Sequence, residues 1–195
     1  MTGRFLLWLG LTVGAQAGSP LSLDVRVFRG ATEVTGDTIV TVFPAGTRTN
    51  GRPAPLAGGE RKLALPAGQY DIQLLQQQEG KVGGIAWTTL RLLADYPGEQ
   101  QRHLEVLNFE KGWGALQIRP DGPRDSGPVR WTTRLIRKGG GEVARGVSGE
   151  GYQVIVAPAG TYDVEITHAN GTTATLPGLD GRENLTYVRT FPAAR

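Results

Sequence analysis

Apolar and polar residues alternate along most of the chain in short runs, with a turn signal about every ten residues. A period of two, interrupted by glycine and proline, is typical of β-strands whose two faces meet different surroundings. Twelve strands are predicted on this basis, six in each half of the chain. They are 23–28, 38–43, 60–65, 70–76, 86–93 and 102–108, followed by 115–119, 129–137, 152–156, 162–168, 172–176 and 184–190.

One segment of the first half recurs in the second. Residues 66–71 (PAGQYD) return as residues 158–163 (PAGTYD). Proline and glycine turn the chain sharply, and the tyrosine then opens the next strand with its hydroxyl placed to bond the turn backbone. The repeat predicts an all-β chain of two tandem antiparallel sandwiches, at residues 18–110 and 111–195, in which Tyr70 and Tyr162 are equivalent and mostly buried.

The flanks of the two copies also align by their alternating apolar positions. Residues 23–27 correspond to 114–118, and residues 97–109 correspond to 179–191 in this alignment. A joint at residues 111–114 is expected between the two copies.

The recurring motif resembles the prealbumin-like (carboxypeptidase regulatory-like) modules, which are immunoglobulin-related β-sandwiches of exported bacterial proteins. The resemblance lies in residues 63–74 and 155–166. Each segment consists of an apolar strand, the turn Pro-Ala-Gly-x-Tyr and a second strand with alternating apolar residues. The resemblance implies immunoglobulin-like or prealbumin-like sandwiches that serve as spacer, adhesion or binding units without catalysis. It carries over no active-site residue.

The amino terminus has the pattern of a secretory signal peptide. Arg4 precedes an uncharged apolar core at 5–13, and residues 15–17 (AQA) form a small-x-small cleavage pattern, which predicts a mature chain that begins at Gly18. The core is shorter than the roughly 20 apolar residues that span a bilayer. An uncleaved anchor or a buried first strand is the alternative. We expect a periplasmic or secreted protein without a transmembrane segment.

Composition leaves little material for catalysis. The chain has no cysteine and two histidines, which excludes disulfide scaffolds, thiolate metal sites and cysteine nucleophiles. Ser148 lacks the glycine pattern of a nucleophile elbow, and His103 and His168 are each expected at the surface of a strand. No nucleophile–base pair stands out, so no enzyme and no cofactor are predicted, although a small hydrolase on a sandwich scaffold stays open as an alternative.

Positive charge concentrates after the joint. Residues 111–145 hold 8 basic and 3 acidic residues, whereas residues 18–110 hold 9 basic and 10 acidic ones. If 129–135 is a strand, Arg130 and Arg134 share one face, with Arg137 and Lys138 at its end. Such a stripe would contact an anionic polysaccharide, lipid headgroups or an acidic protein face. A solvated arginine-rich strand face is the alternative, and no nucleic-acid partner is expected.

The aromatic residues leave two alternatives open. Trp113 lies between glycines in the joint, where it would act either as a wedge between the sandwiches or as an exposed anchor for a partner. Trp87 and Trp131 alternate with strand neighbours and are predicted to be core residues. A carbohydrate-binding protein would need two or three exposed aromatics, for which Tyr96, Trp113 and Tyr152 are the candidates.

Two acidic turns are candidate calcium sites. The turn at 180–184 carries three oxygen-bearing side chains, and Asp121 with Asp125 forms a second candidate. Plain turns explain both segments, so no metal site is assigned. The sequence favours an exported, non-catalytic binding, adhesion or assembly module of the cell envelope, with an envelope protein or an anionic polysaccharide as its partner.

Overall fold

The computed structural model describes residues 20–54, 56–57, 60–92, 102–121, 129–149, 151–183 and 185–192, so the predicted signal peptide lies outside the described residues. The first half forms module 1, with nine strands and one 3₁₀ turn at Thr35–Asp37. The strands are β1 (Leu21–Arg29), β2 (Thr32–Glu33), β3 (Thr38–Pro44), β4 (Arg52–Pro53), β5 (Leu56–Ala57), β6 (Glu60–Leu65), β7 (Gly68–Gln78), β8 (Lys81–Leu92) and β9 (Arg102–Asn108).

The second half forms module 2, with eight strands. They are β10 (Trp113–Pro120), β11 (Trp131–Arg137), β12 (Glu142–Arg145), β13 (Val147–Ser148), β14 (Gln153–Pro158), β15 (Gly160–His168), β16 (Thr173–Gly181) and β17 (Thr186–Phe191). Each of the twelve predicted strands coincides with one of these. The short strands β2, β4, β5, β12 and β13 were not predicted. No helix in the described part of the chain is long and apolar enough to cross a membrane.

The two modules share one topology. In module 1, β2-β1-β6-β5 form one sheet, with β9 added beside β1, and β4-β3-β7-β8 form the other. In module 2 the corresponding sheets are β13-β14-β10-β17 and β12-β11-β15-β16. The pairs β1–β9 and β10–β17 are parallel and the remaining pairs are antiparallel. The expectation of two tandem β-sandwiches is confirmed.

Each sandwich encloses its own apolar core, because alternate residues of the facing strands point inward. Val25, Val40 and Ile72 are fully buried in module 1. Ile118 and Val164 are fully buried in module 2.

The two tyrosines of the repeat occupy equivalent corners. The Tyr70 hydroxyl donates to the Pro66 carbonyl at 2.7 Å, and the Tyr162 hydroxyl donates to the Pro158 carbonyl at 2.8 Å. Their burial differs, since Tyr162 is 4% exposed whereas Tyr70 packs against the core with part of its ring exposed. The expected equivalence is confirmed, and the expected burial holds fully for Tyr162 alone.

The ladder register corrects the flank alignment by two residues. Leu23 lies opposite Leu63, and Leu116 lies opposite Ile155, the equivalent of Leu63 in the repeat. Leu23 therefore corresponds to Leu116 and not to Gly114. A shift of two residues leaves the inward and outward alternation unchanged, so the hydrophobic pattern alone could not detect it.

A third apolar layer joins the modules. Phe28, Leu104 and Val106 of module 1 pack with Ala115, Tyr152, Val154 and Val156 of module 2, and all seven are buried. The Val106 amide of β9 also donates to the Thr186 hydroxyl of β17 at 2.8 Å. Strands β1 and β10 are consequently buried on both faces, which explains why Asp24 and Gln117 are hidden from solvent.

Candidate binding surfaces

The outer face of β3-β7-β8, called here the module 1 face, exposes large apolar side chains. On β8, Ala86 and Leu90 turn towards the core, whereas Ile85 and Trp87 point outward and are 58% and 38% exposed. The prediction that Trp87 is a core residue is therefore wrong. Apolar residues stand on both faces of β8, so alternation did not reveal which face is inward.

Trp87 is held between two neighbours on this face. Its ring lies 5.3 Å from that of Phe43, with the planes 41° apart. The Arg48 guanidinium lies 4.5 Å from the centre of the Trp87 ring. Since a cation is attracted to the negative face of an indole ring, this contact favours the observed arrangement of both side chains.

The loop between β3 and β4 brings Arg48 to this position. Arg48 has a φ of 46°, in the left-handed region that a non-glycine residue enters at a cost. At Gly51 a Cβ would lie 2.4 Å from the Phe43 ring, so only glycine allows the loop to close over that ring. The Asp71 carboxylate accepts from the Gly46 amide at 3.0 Å and fastens the base of the loop.

An apolar row extends the surface across three strands. Ile39 of β3 lies opposite Leu75 of β7, which lies opposite Ile85 of β8. Val82, 61% exposed, continues the apolar surface near the start of β8. The module 1 face therefore combines an aromatic pair, a guanidinium and a contiguous aliphatic row.

The equivalent outer face of β11-β15-β16, called the module 2 face, is polar. The row that matches Ile39, Leu75 and Ile85 is Thr132–Thr167–Thr173, as the ladder pairs show. The row that matches Thr41, Gln73 and Trp87 is Arg134–Glu165–Thr175. Thr175 thus stands where module 1 has its exposed tryptophan.

The predicted basic residues are distributed along β11, and one of them has an acidic partner. Arg134 Nε donates to Glu165 Oε1 at 2.8 Å, which neutralises its charge on the module 2 face. Arg130 is exposed just before β11, and Arg137 and Lys138 are exposed at the other end of the strand. A strand of seven residues separates these ends by about 20 Å.

Carboxylates that the sequence reasoning missed complete the module 2 face. Arg145 Nε donates to Glu142 Oε1 at 2.6 Å, and this hydrogen bond lowers the pKa of the Glu142 carboxyl. A depression of about 300 Å³ lies on this face, lined by Thr132, Thr133, Arg134, Arg145, Glu165 and Thr167. The two-residue alternation of β15 could have placed Glu165 on the outer face, but only the ladder register puts it opposite Arg134.

Trp113 lies at the junction of the modules. Its ring is half-buried against the third apolar layer, and a Cβ on Gly30 would come within 3.3 Å of it. This packing matches the wedge alternative. Tyr152 is 1% exposed, so the expectation that it offers an exposed aromatic is wrong, because module 1 covers it. Tyr96 lies outside the described residues.

The candidate catalytic residues Ser148 and His168 lie in different sheets. The Ser148 hydroxyl accepts from the Gln153 side chain at 3.5 Å in one sheet, whereas the His168 ring lies 5.7 Å from that of Phe191 in the other. His103 falls on β9, and its side chain lies outside the described residues.

The calcium candidates are only partly described. The Asp180 carboxylate accepts from the Thr161 hydroxyl at 2.7 Å, which gives it a role in holding β15 to β16. Asn184 and Asp125 lie outside the described residues. Within the described ranges, no three acidic or histidine side chains come together as a metal-binding group.

Comparison with known proteins places the chain in no family. No protein-family model matches the sequence, and no curated protein matches it closely enough to count as a relative. Among solved structures, the TIE protein of Bacillus anthracis is similar over 88% of this chain and 34% of its own, at 15% identity and a TM-score of 0.33. The minor pilin GBS52 of Streptococcus agalactiae is similar over 88% and 94%, at 11% identity and a TM-score of 0.30. BcpA, the major pilin subunit of Bacillus cereus, is similar over 88% of this chain and 69% of its own, at 12% identity and a TM-score of 0.29. Scores this low establish no function for the chain.

Proposed function

We propose that the chain is an exported, non-catalytic binding or assembly protein of the cell envelope, built from module 1 (18–110) and module 2 (111–195), and that the module 1 face docks a partner protein. The observation that carries this proposal is the exposure of Trp87 beside Phe43 and Arg48, at a position where module 2 has Thr175. Exposed apolar patches rimmed by polar residues mark interaction sites.

The composition of the face suits protein recognition. Tryptophan and arginine are enriched among the residues that dominate binding energy at protein interfaces. Full burial of an exposed side chain such as Ile85 stabilises a complex by about 1.5–3 kcal/mol before the cost of association. Because Arg48 already lies against Trp87 in the unbound chain, docking would cost less side-chain entropy than it would for two freely rotating side chains.

Site-specific photo-crosslinking in the host cell tests this proposal. A photoreactive amino acid at Ile85 is expected to capture a discrete protein, whereas the same amino acid at the matched position Thr173 is not. Added wild-type protein should compete for the capture, and added W87T protein should compete at least tenfold less well. Equal capture at the two positions, or equal competition by the two proteins, would contradict the proposal.

The same aromatic pair supports a second candidate, carbohydrate binding. Sugar rings stack on exposed aromatic faces, and Phe43 and Trp87 offer two neighbouring rings. Their planes are 41° apart and Arg48 covers one face of the indole, so the two rings do not form a flat platform. Affinity electrophoresis of wild-type and W87T proteins in neutral polysaccharides separates the candidates, since retention that the substitution abolishes favours the glycan.

The predicted anionic partner stays a proposal for module 2. Arg130, Arg137 and Lys138 are exposed and support it, while Arg134 is held by Glu165. If an anionic polysaccharide binds here, the full chain should be retained on a polyanionic resin in a salt-dependent manner. Changing Arg130, Arg137 and Lys138 to Ser should abolish that retention, and equal elution of the two proteins would show a solvated face.

A further inference from the structure

Within the part of the chain that the structure describes, strand β8 ends its sheet with one edge open. It is the longest strand of the described chain, at 12 residues, and it pairs with β7 along one edge. Among the described residues no strand pairs with the other edge. Such an edge presents a row of backbone donors and acceptors, which natural proteins usually protect.

The matched edge of module 2 is protected. Strand β16 carries Pro177 and Gly178, and the ladder shifts register beside them. The Gly178 amide donates to the Asp163 carboxylate at 2.8 Å, which fixes this bulge. Proline and bulges both prevent a further strand from pairing. Strand β8 has no proline, and its one register shift lies near its start, between Gln76 and Gln77 on β7.

The charged side chains of β8 itself have one sign, and Glu79 lies exposed in the turn before Lys81. Lys81 and Arg91 are exposed at the two ends of β8, and the strand contains no acidic residue. Arg48 adds a third cation above Trp87. Opposite charges directly across a ladder stabilise strand pairing, and like charges destabilise it.

We propose that β8 accepts an extended segment of a partner protein as an added strand, with apolar residues at alternate positions and acidic residues at both ends. This inference rests on the proposed function and specifies how the partner is held. Backbone hydrogen bonds to the open edge supply affinity, as in other complexes formed by strand addition. The alternate apolar side chains extend the module 1 face beside Ile85 and Trp87, and the acidic ends meet Lys81 and Arg91.

The charge pattern argues against a second copy of this chain at the same edge. Pairing of two β8 strands would gather four cations and no carboxylate in one ladder. In the antiparallel register centred on Ala86, Lys81 of one copy would lie directly opposite Arg91 of the other. Self-association through this edge is therefore disfavoured by like-charge repulsion.

A synthetic probe tests the inference on the full mature chain. The probe is a short peptide in which valine and threonine alternate between terminal glutamates, and backbone amide hydrogen exchange is the readout. We expect the peptide to slow exchange in 81–92 at least tenfold and to leave 173–181 unchanged. A lysine-terminated peptide should bind at least tenfold more weakly, and higher salt should weaken the glutamate peptide.

Two controls make the outcome decisive. A peptide with every backbone amide methylated keeps every side chain but loses the donors of both edges, so it should give no protection at β8. Equal protection by the methylated peptide, or no protection by any peptide, would overturn strand addition. Sedimentation that shows a dimer, lost in I85K but kept in T173K, would assign the edge to a second copy and also overturn the inference.

The crosslinking experiment keeps this inference separate from the proposed function. Specific capture at Ile85 without protection of β8 by the peptides would mean that a partner docks on the face and leaves the edge free. Protection of β8 without specific capture at Ile85 would mean that the edge can pair while the host supplies no partner for the face. Each proposal therefore fails on its own result.

Discussion

The two modules carry the same corner and the same ladders, yet their outer faces have opposite character. At matched positions module 1 has Ile85 and Trp87 where module 2 has Thr173 and Thr175. The inward residues are apolar in both sandwiches. Since the core and the tyrosine corner specify the sandwich, the outer strand positions are free to differ, and the proposed difference in binding would reside there.

The repeated aspartate shows how one motif serves two purposes. Asp71 accepts from the Gly46 amide and fastens the loop that carries Arg48 over Trp87. Asp163, its counterpart, accepts from the Gly178 amide and fastens the bulge that protects β16. The same carboxylate thus supports a built surface in module 1 and a protected edge in module 2.

The largest change in the free energy of unfolding is expected at the tyrosine corner, which the two modules share. Tyr162→Ala should lower the free energy of unfolding by about 3–5 kcal/mol, because it removes a buried ring and its hydrogen bond to Pro158. Tyr70→Ala should cost less, since part of the Tyr70 ring is already in solvent. Denaturant unfolding of the full chain measures both, and equal losses would mean that the two corners are energetically equivalent.

Exchanging Trp87 and Thr175, the residues that distinguish the two faces, should change the free energy of unfolding by an intermediate amount. Trp87→Thr should destabilise the chain by about 1–2 kcal/mol, through loss of the contacts with Phe43 and Arg48. Thr175→Trp, the reverse change, should alter stability by less than about 0.5 kcal/mol because the site is exposed. Thermal or denaturant unfolding checks both values. A neutral Trp87→Thr would show that the aromatic cluster contributes nothing to the folded state.

Acid titration contrasts an ion pair of each module. Burial raises the pKa of the Glu33 carboxyl, but hydrogen bonds from Arg26 and Thr35 and the Arg26 charge outweigh burial and leave that pKa below 4.5. Ionised Glu33 therefore adds stability at neutral pH, and this contribution disappears as the pH falls through its lowered pKa. Glu33→Gln should flatten the acid side of the stability–pH curve. Glu142→Gln is the comparison and should flatten the acid side of the curve much less, because Glu142 lies at the surface, where solvent screens its pair with Arg145.

The smallest effect is expected on the module 2 face. Replacing Arg134 by Thr and Glu165 by Gln installs the residues that module 1 has at those positions, Thr41 and Gln73. The loss should be about 0.2–1 kcal/mol, because the Arg134 side chain is 47% exposed and solvent screens the pair. The difference from wild type should shrink further at high salt. A loss of several kcal/mol would mean that this pair is part of the scaffold.

Strand positions and the repeated corner could be predicted because both follow from local chemistry. Alternation locates a strand whatever it packs against, and the proline–glycine turn fixes where the tyrosine begins the next strand. The hydrogen bonds from Tyr70 and Tyr162 to the preceding proline carbonyls match that expectation. The flank alignment was wrong by two residues because alternation repeats every two residues, so the pattern looks the same after a shift of two.

The apolar module 1 face could not be predicted from the sequence, because the outward orientation of a side chain depends on what packs against each face of its strand. Ala86 and Leu90 are the residues of β8 that pack into the core, so Trp87, on the opposite face of the strand, points outward. The sequence does not reveal how large a side chain the core can hold at this strand. Asp24 lies on a strand whose second face is covered by module 2, so a polar residue became buried. The pairing of Arg134 with Glu165 could not be predicted either, because the two residues are 31 positions apart and meet only through the sheet register.

The parallel terminal strands give each module a defined response to tension. In module 1, β1 and β9 run side by side through seven consecutive register pairs from Ser22–Arg102 to Phe28–Asn108. A force that pulls the start of β1 away from the end of β9 acts along the strands, so all of these pairs are loaded in shear together and none is peeled open first. The six pairs between β10 and β17 repeat this geometry in series. A tether pulled through its two ends would therefore resist extension at both modules while the edge of β8 stays unstressed.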